Sequence, residues 1–236
     1  MGNILVIPDV HGRKFWKEAV KKYPDSDIIF LGDYLDPYPS EEISPEETIA
    51  NFEEILKFAV LNANCRLLLG NHDLHYLCNF GEACRLDYAN SARIHFLLMD
   101  NLWLFRLAAI REIDNRKVIF SHAPILTEWI ESVGETTEPE AIVNNINSRL
   151  GIIARQPWNV ERYLGQISVY RGGYDKTGSP VWADVREIHG NLIPTADYSV
   201  FGHTQQEADP IITDTWACLD CRKAFLIDDN LLIKPV

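Results

Sequence analysis

The stretch "RLLLGNHDLH", Arg66 to His75, decides how this chain reads. Three consecutive leucines lack the alternation of a half-exposed strand. They predict a strand covered on both faces, as in a parallel sheet. The run stops abruptly at Gly70, Asn71 and His72. Alone, that ending is ordinary turn chemistry. The other strand ends of the chain change the reading.

Towards the N-terminus, "NILVIP" (3–8) and "DIIFLGD" (27–33) are two more continuous apolar runs. Between them "RKFWKEAVKKY" places Phe15, Trp16, Ala19, Val20 and Tyr23 at helical spacing. Ser44-Pro45-Glu46-Glu47 is a helix start with a capping box, and the helix continues through Ile49, Phe52, Ile55, Leu56 and Ala59. Strand, helix, strand, helix, strand predicts a parallel sheet with right-handed crossovers. The second half is richer in strands: "LWLFRLAAI" (102–110), "KVIFSHA" (117–123), "DYSVFGHT" (197–204), "PIITDT" (210–215), "KAFLID" (223–228) and "LLIKPV" (231–236). A helical insert is expected at about 135–165. No repeat, low-complexity tract or linker interrupts the chain, so a single domain over 1–236 is expected.

Of 236 residues 47% are hydrophobic, enough for one sizeable core. Thirty-four acidic against 22 basic residues give a net charge of −12, which disfavours nucleic acid and acidic membranes as partners. No run approaches the roughly 18 apolar residues of a membrane span. Asp9 interrupts the first apolar run, no basic segment precedes it, and Val6 stands where a myristoylation signal needs Ser or Thr. A cytoplasmic protein is therefore expected. Five cysteines without framework spacing fit a reducing compartment, and Cys218-Leu219-Asp220-Cys221 is an isolated C-x-x-C with no second pair.

Five buried strands end in the same class of residue: Asp9 and His11, Asp33 and Asp36, Asn71 and His72, His122, and His203. Loops after the carboxyl ends of parallel strands converge on one crevice. A set composed only of metal-binding residue types predicts a metal site there. Mixed oxygen and nitrogen donors suit manganese, iron or zinc better than calcium or magnesium. An Asp and a His from the first loop, then Asp, Asn, His and His from the next four, make six ligands; these exceed one catalytic zinc site, whereas two ions about 3.5–4 Å apart sharing a carboxylate explain the number.

In this order, "DVHG", "GDYLD", "GNHD", "SHA" and "GHT" resemble the calcineurin-like metallophosphoesterases, and within them the bacterial and phage relatives of the phosphoprotein (Ser/Thr) phosphatases. The resemblance runs from Asp9 to the strand after "DTWACLDC". It implies a four-layer α/β/β/α sandwich with mixed sheets. It further implies that Asp9 and His11 hold the first metal, that Asp33 bridges both, and that Asn71, His122 and His203 complete the second. His72 then resembles the proton donor to the leaving oxygen, and Asp36 the carboxylate that orients it. The expected reaction is hydrolysis of a phosphorylated protein or small molecule, foremost a phosphomonoester, by direct attack of a hydroxide shared by two cations, manganese foremost. A phosphodiesterase or dinucleoside polyphosphate hydrolase is the alternative, and a non-catalytic scaffold a remote one.

Two departures matter. The phosphoprotein phosphatases continue "GDxxD" with a phosphate-binding Arg-Gly, but here Pro37-Tyr38 follows. Arg171 and Arg186, flanking the "VWAD" segment, are the candidate replacements, with Arg13 a weaker third. Gln205 stands where many phosphodiesterases carry a second histidine; it is either an oxygen ligand or a simple loop residue. His75, His95 and His189 match no motif and are expected to be ordinary polar or packing residues. Oligomeric state is left open by the sequence.

Overall fold

The computed structural model describes residues 2–81, 83–193 and 195–236. Strands β1 (Ile4–Ile7), β2 (Asp27–Phe30) and β3 (Cys65–Leu68) pair in parallel through crossover helices α1 (Phe15–Lys22) and α2 (Pro45–Leu61). The Ser44 hydroxyl accepts from Glu47 N–H while the Glu47 carboxylate accepts from Ser44 N–H, the expected capping box. After β3 come a short helix α3 (Asn71–His75) and α4 (Ser91–Asp100).

The run 102–110, read as one strand, forms two. β4 (Phe105–Arg106) pairs with β3, and β5 (Ala108–Ile113) belongs to a second sheet with β6 (Arg116–Ser121). The chain changes sheet at the fully buried Leu107. There Asn147 Oδ1 accepts from Leu107 and Ala108 N–H, and its amide nitrogen donates to Ala108 C=O. These bonds satisfy backbone groups that neither ladder reaches. Asn147 belongs to the next helical stretch: α5 (Thr127–Val133), α6 (Pro139–Ser148), α7 (Leu150–Ile153) and α8 (Pro157–Leu164), of which the last three occupy the expected insert. The chain closes with β7 (Tyr198–Phe201), β8 (Ile211–Ile212), β9 (Trp216–Cys218), β10 (Phe225–Ile227) and β11 (Ile233–Pro235).

One sheet has the order β11-β10-β1-β2-β3-β4, the other β5-β6-β7-β9-β8, and both mix parallel and antiparallel pairs. Alternation along each strand divides the core. Ile4, Val6, Ile29, Leu31 and Leu68 face Val118, Phe120, Val200 and Ala217 across the gap between sheets. Leu5, Ile7, Ile28, Phe30 and Leu67 join Trp16, Phe52 and Ile55 of the covering helices, while Ile119 and Phe201 join Trp129, Ile142 and Ile146 on the far side. The result is the expected four layers, α/β/β/α. Both faces of the central strands are covered, which is why they read as unbroken apolar runs. No helix among the described residues is long and apolar enough to cross a membrane.

Candidate metal centre

The carboxyl ends of β1, β2 and β3 in one sheet, and of β6 and β7 in the other, open at the same edge of the sandwich. Asp9, His11, Asp33, Asp36, Asn71, His72, His122 and His203 are all buried there. His11, Asp33, Asp36 and His203 take left-handed backbone, with φ of 44°, 50°, 55° and 63°. Each turns the chain sharply just past a strand and aims a polar side chain inward, a geometry that Asp and His tolerate better than most residues.

Asp33 sits at the middle. Its Oδ2 lies 3.6 Å from His11 Nε2 and 3.5 Å from His122 Nε2, so one oxygen stands between two imidazoles from different sheets. Ligand atoms of Asp33, His122 and His203 lie within 4.8 Å of one another, as do those of His11, Asp33 and His72. The ring tautomers follow from the main chain. His11 Nδ1 is bound to Leu35 C=O at 2.7 Å and His122 Nδ1 to Leu31 C=O at 2.9 Å, so each Nε2 presents a lone pair to the centre. His122 Nε2 then meets Asn71 Oδ1 at 3.0 Å and His203 Nδ1 at 3.1 Å. Lone pairs converging on one point are repulsive without a cation between them. The donor set thus fits a metal.

Two glycines permit this closeness. A Cβ on Gly70 would run into the Asp33 carboxylate, and one on Gly202 into that of Asp9. Asp9 accepts from His203 N–H, at 3.1 and 3.2 Å to its two oxygens. Burial, then the neighbouring His72, push His11 down to about 3, and burial drives His203 well below its ordinary value, which keeps both rings neutral as ligands must be.

His72 is held differently. Its Nδ1 lies 2.9 Å from Asp36 Oδ2, and Asp36 Oδ1 accepts from Tyr76 O–H at 2.6 Å. Tyr76 in turn accepts from Asp87 N–H. Burial and then the charge of Arg85 lower His72 to about 3, while burial raises Asp36 to about 6.

Of the candidate arginines, Arg171 approaches the cluster: its Nη1 lies 3.5 Å from the buried Asp184, and its charge reaches Asp33 and His203. Arg186 is bound to Asp184 through Nε and Nη2 and to Tyr170 C=O. It lines an open cavity of about 560 Å³ that contains no residue of the cluster. Arg13 is tied to Glu41 and to Asp9 C=O. Gln205 is exposed. His75 stacks on Phe80, and His95 Nδ1 pairs with Tyr76 C=O, as packing residues do. The Cys218 thiol donates to Gly202 and Thr204 carbonyls, an anchoring role for that strand end.

Sequence reasoning missed four residues. Asp73 is fully buried and accepts from the N–H groups of Asp33, Tyr34 and Gly70. Tyr76 backs Asp36, and its only sequence signal is its place one helical turn after His72. Asp220 is a further buried carboxylate, pushed up by burial and by Asp9. Arg85 lies in the irregular segment before α4, where no periodicity marks it.

Comparisons with known proteins agree with this geometry. The family model described as calcineurin-like phosphoesterase matches residues 2–207. A symmetrical bis(5'-nucleosyl)-tetraphosphatase of Erwinia tasmaniensis is 30% identical over 136 residues, 52% of this chain and 45% of that protein; the chain thus matches about half of that relative's length. The cold-active protein-tyrosine phosphatase of a psychrophilic Shewanella species superposes over 100% of this chain and 80% of its own, with a TM-score of 0.60 and 14% identity. A point mutant of a cold-active protein tyrosine phosphatase does so over the same shares, with a TM-score of 0.61 and 13% identity. At such identity these structures speak for the fold. The chain belongs to the calcineurin-like phosphoesterases.

Proposed function

We propose that the cluster holds two divalent cations and hydrolyses phosphomonoesters. The observation that carries the reading is Asp33 Oδ2, 3.6 Å from His11 and 3.5 Å from His122, a carboxylate between two imidazoles of different sheets. Asp9, His11 and Asp33 hold the first ion; Asp33, Asn71, His122 and His203 hold the second. Manganese suits the mixed oxygen and nitrogen donors, with iron or zinc as alternatives. The pair of ions, when bound, lowers the pKa of water and neutralises phosphoryl oxygens.

The chain's own residues do the rest. His72 donates a proton to the leaving oxygen, Asp36 orients the ring and offsets its positive charge, and Tyr76 fixes Asp36. Arg171 contacts the phosphoryl group, while Arg186 steadies Asp184 behind it. The five cysteines, none in a disulfide, support a reducing, cytoplasmic setting.

A second reading, hydrolysis of a dinucleoside polyphosphate, is favoured by the tetraphosphatase relative. The test is a substrate panel of para-nitrophenyl phosphate, bis-para-nitrophenyl phosphate and diadenosine tetraphosphate, run with Mn, Zn and Mg in parallel. Preference for the first supports a monoesterase, and preference for the last supports the second reading. No turnover of any of them with any metal, or fewer than two ions bound, would refute both.

A further inference from the structure

The cations around the centre are mostly neutralised. Arg13 lies 2.9 Å and Arg222 3.4 Å from Glu41, and Arg171 and Arg186 share Asp184. Arg85 differs. Among the described residues it has no carboxylate within ion-pair distance, and its buried Nε has no hydrogen-bond partner. One Nη2 donates to Asp36 C=O at 2.8 Å, and the guanidinium lies 4.2 Å over the Tyr38 ring. Tyr38 meets His11 edge-on at 5.3 Å, and His11 meets His72 edge-on at 5.1 Å. Arg85 is thus linked to the proposed proton donor through Asp36, whose carboxylate holds the His72 ring, and through the rings of Tyr38 and His11.

A half-buried cation with no ion-pair partner among the described residues is a poor neighbour for an uncharged alcohol leaving group. It suits a leaving group that is itself an anion. Arg85 and Asp36 also line a cavity of about 290 Å³ with Pro37, Ile43 and Ile94. Of the two acids lining it, Asp36 is bound to His72 and Tyr76, and Asp87 is engaged by Asn90 through both carboxylate oxygens.

We infer that Arg85 binds the leaving group and selects substrates in which that group carries a phosphate, the phosphoanhydrides. The inference rests on the proposed placement of phosphoryl transfer at this centre and, of the two readings above, on the second, in which the bond broken is an anhydride. In such a reaction water oxygen forms a bond to phosphorus and the bond to the bridging oxygen breaks. The departing phosphate keeps the electron pair, and the charge it gains develops beside Arg85, where a guanidinium stabilises it.

The experiment uses the full chain loaded with manganese, and Arg85→Gln and Arg85→Lys variants. Isothermal titration with inorganic phosphate and with pyrophosphate gives the ratio of the two affinities. In Arg85→Gln the preference for pyrophosphate should fall about tenfold or more, whereas Arg85→Lys, which keeps the charge, should stay within about threefold of wild type. The ratio of kcat/KM for diadenosine tetraphosphate over para-nitrophenyl phosphate should move the same way. An unchanged ratio in Arg85→Gln, whatever the absolute losses, overturns the inference, because a merely scaffolding arginine weakens both ligands alike. So does a lysine variant as unselective as the glutamine one. The titration needs no turnover. A protein that binds both anions and hydrolyses nothing would refute the hydrolase reading, with the role of Arg85 still decided by the ratio.

Discussion

Asp73→Asn keeps the shape of a fully buried side chain and changes only what its outer atoms can accept. Oδ2 of Asp73 receives Asp33 N–H at 2.7 Å and Gly70 N–H at 2.9 Å, and Oδ1 receives Tyr34 N–H at 2.9 Å. Burial and then the charge of Asp33 raise its pKa, and the N–H groups of Gly70 and Tyr34 oppose that rise by favouring the ionised form. An asparagine would best point its oxygen at the two-donor position. Its NH2 would then oppose Tyr34 N–H and leave that donor unpaired, at a cost of about 1–3 kcal/mol. The two surviving bonds lose their charge assistance, roughly another 1 kcal/mol together. A total near 3 kcal/mol corresponds to a fall in Tm of roughly 6–12 °C for a chain of this size. The assay is thermal and urea unfolding of the metal-free protein, so that lost metal affinity does not add to the effect. A change in Tm below about 2 °C would show that these three bonds do not hold the loops together.

Other perturbations test other parts of the structure. His72→Ala should depress turnover of phosphate esters with poor, alkyl leaving groups far more than that of para-nitrophenyl phosphate; equal losses in a steady-state comparison would contradict proton donation. Tyr76→Phe removes one hydrogen bond from Asp36 and leaves Asp87 N–H without its acceptor. Turnover of an alkyl phosphate should fall roughly 5–30-fold, and wild-type kinetics would rule out a positioning role. Gly70→Ala drives a methyl group into the Asp33 carboxylate, so metal analysis should find fewer than two ions per chain under conditions that saturate wild type. Glu135 is opposed by burial, yet hydrogen bonds from Tyr163, Asn145 and Arg149 outweigh it and lower its pKa. A depressed carboxylate stabilises the fold above its unfolded pKa and ceases to as pH falls through the folded one. The stability gap between wild type and Glu135→Gln should therefore shrink between pH 6 and pH 3 in urea unfolding; a constant gap would refute the linkage.

What was legible in the sequence follows from how the strands are buried. β1, β2 and β3 are covered on both faces, so each reads as an apolar run whose end is conspicuous, and those ends hold the cluster. The ten singled-out residues include eight that the fold brings to one edge. The second sheet was harder. A single run spanning 102–110 contains strands of two sheets, and the break at Leu107 depends on Asn147, some forty residues away. Arg85 and Asp73 were invisible for a similar reason. One lies in an irregular segment that reaches the centre only through tertiary contacts. The other is indistinguishable in sequence from a turn aspartate, and its three N–H partners come from two different strand ends.

The left-handed backbone at His11, Asp33, Asp36 and His203 sets function against stability. Each such residue costs about 1 kcal/mol relative to a relaxed conformation. The four together therefore amount to roughly 4 kcal/mol, a sizeable part of the roughly 5–15 kcal/mol that holds a typical domain folded. Glycine relieves that cost at every one of the four. A library selected purely for thermal resistance would consequently enrich glycine at His11 and His203 and return robust, inactive proteins, whereas at Asp33 and Asp36 glycine would leave His72 N–H and Tyr76 O–H without their acceptors. The centre is thus where this chain has most room to gain stability and least freedom to accept it.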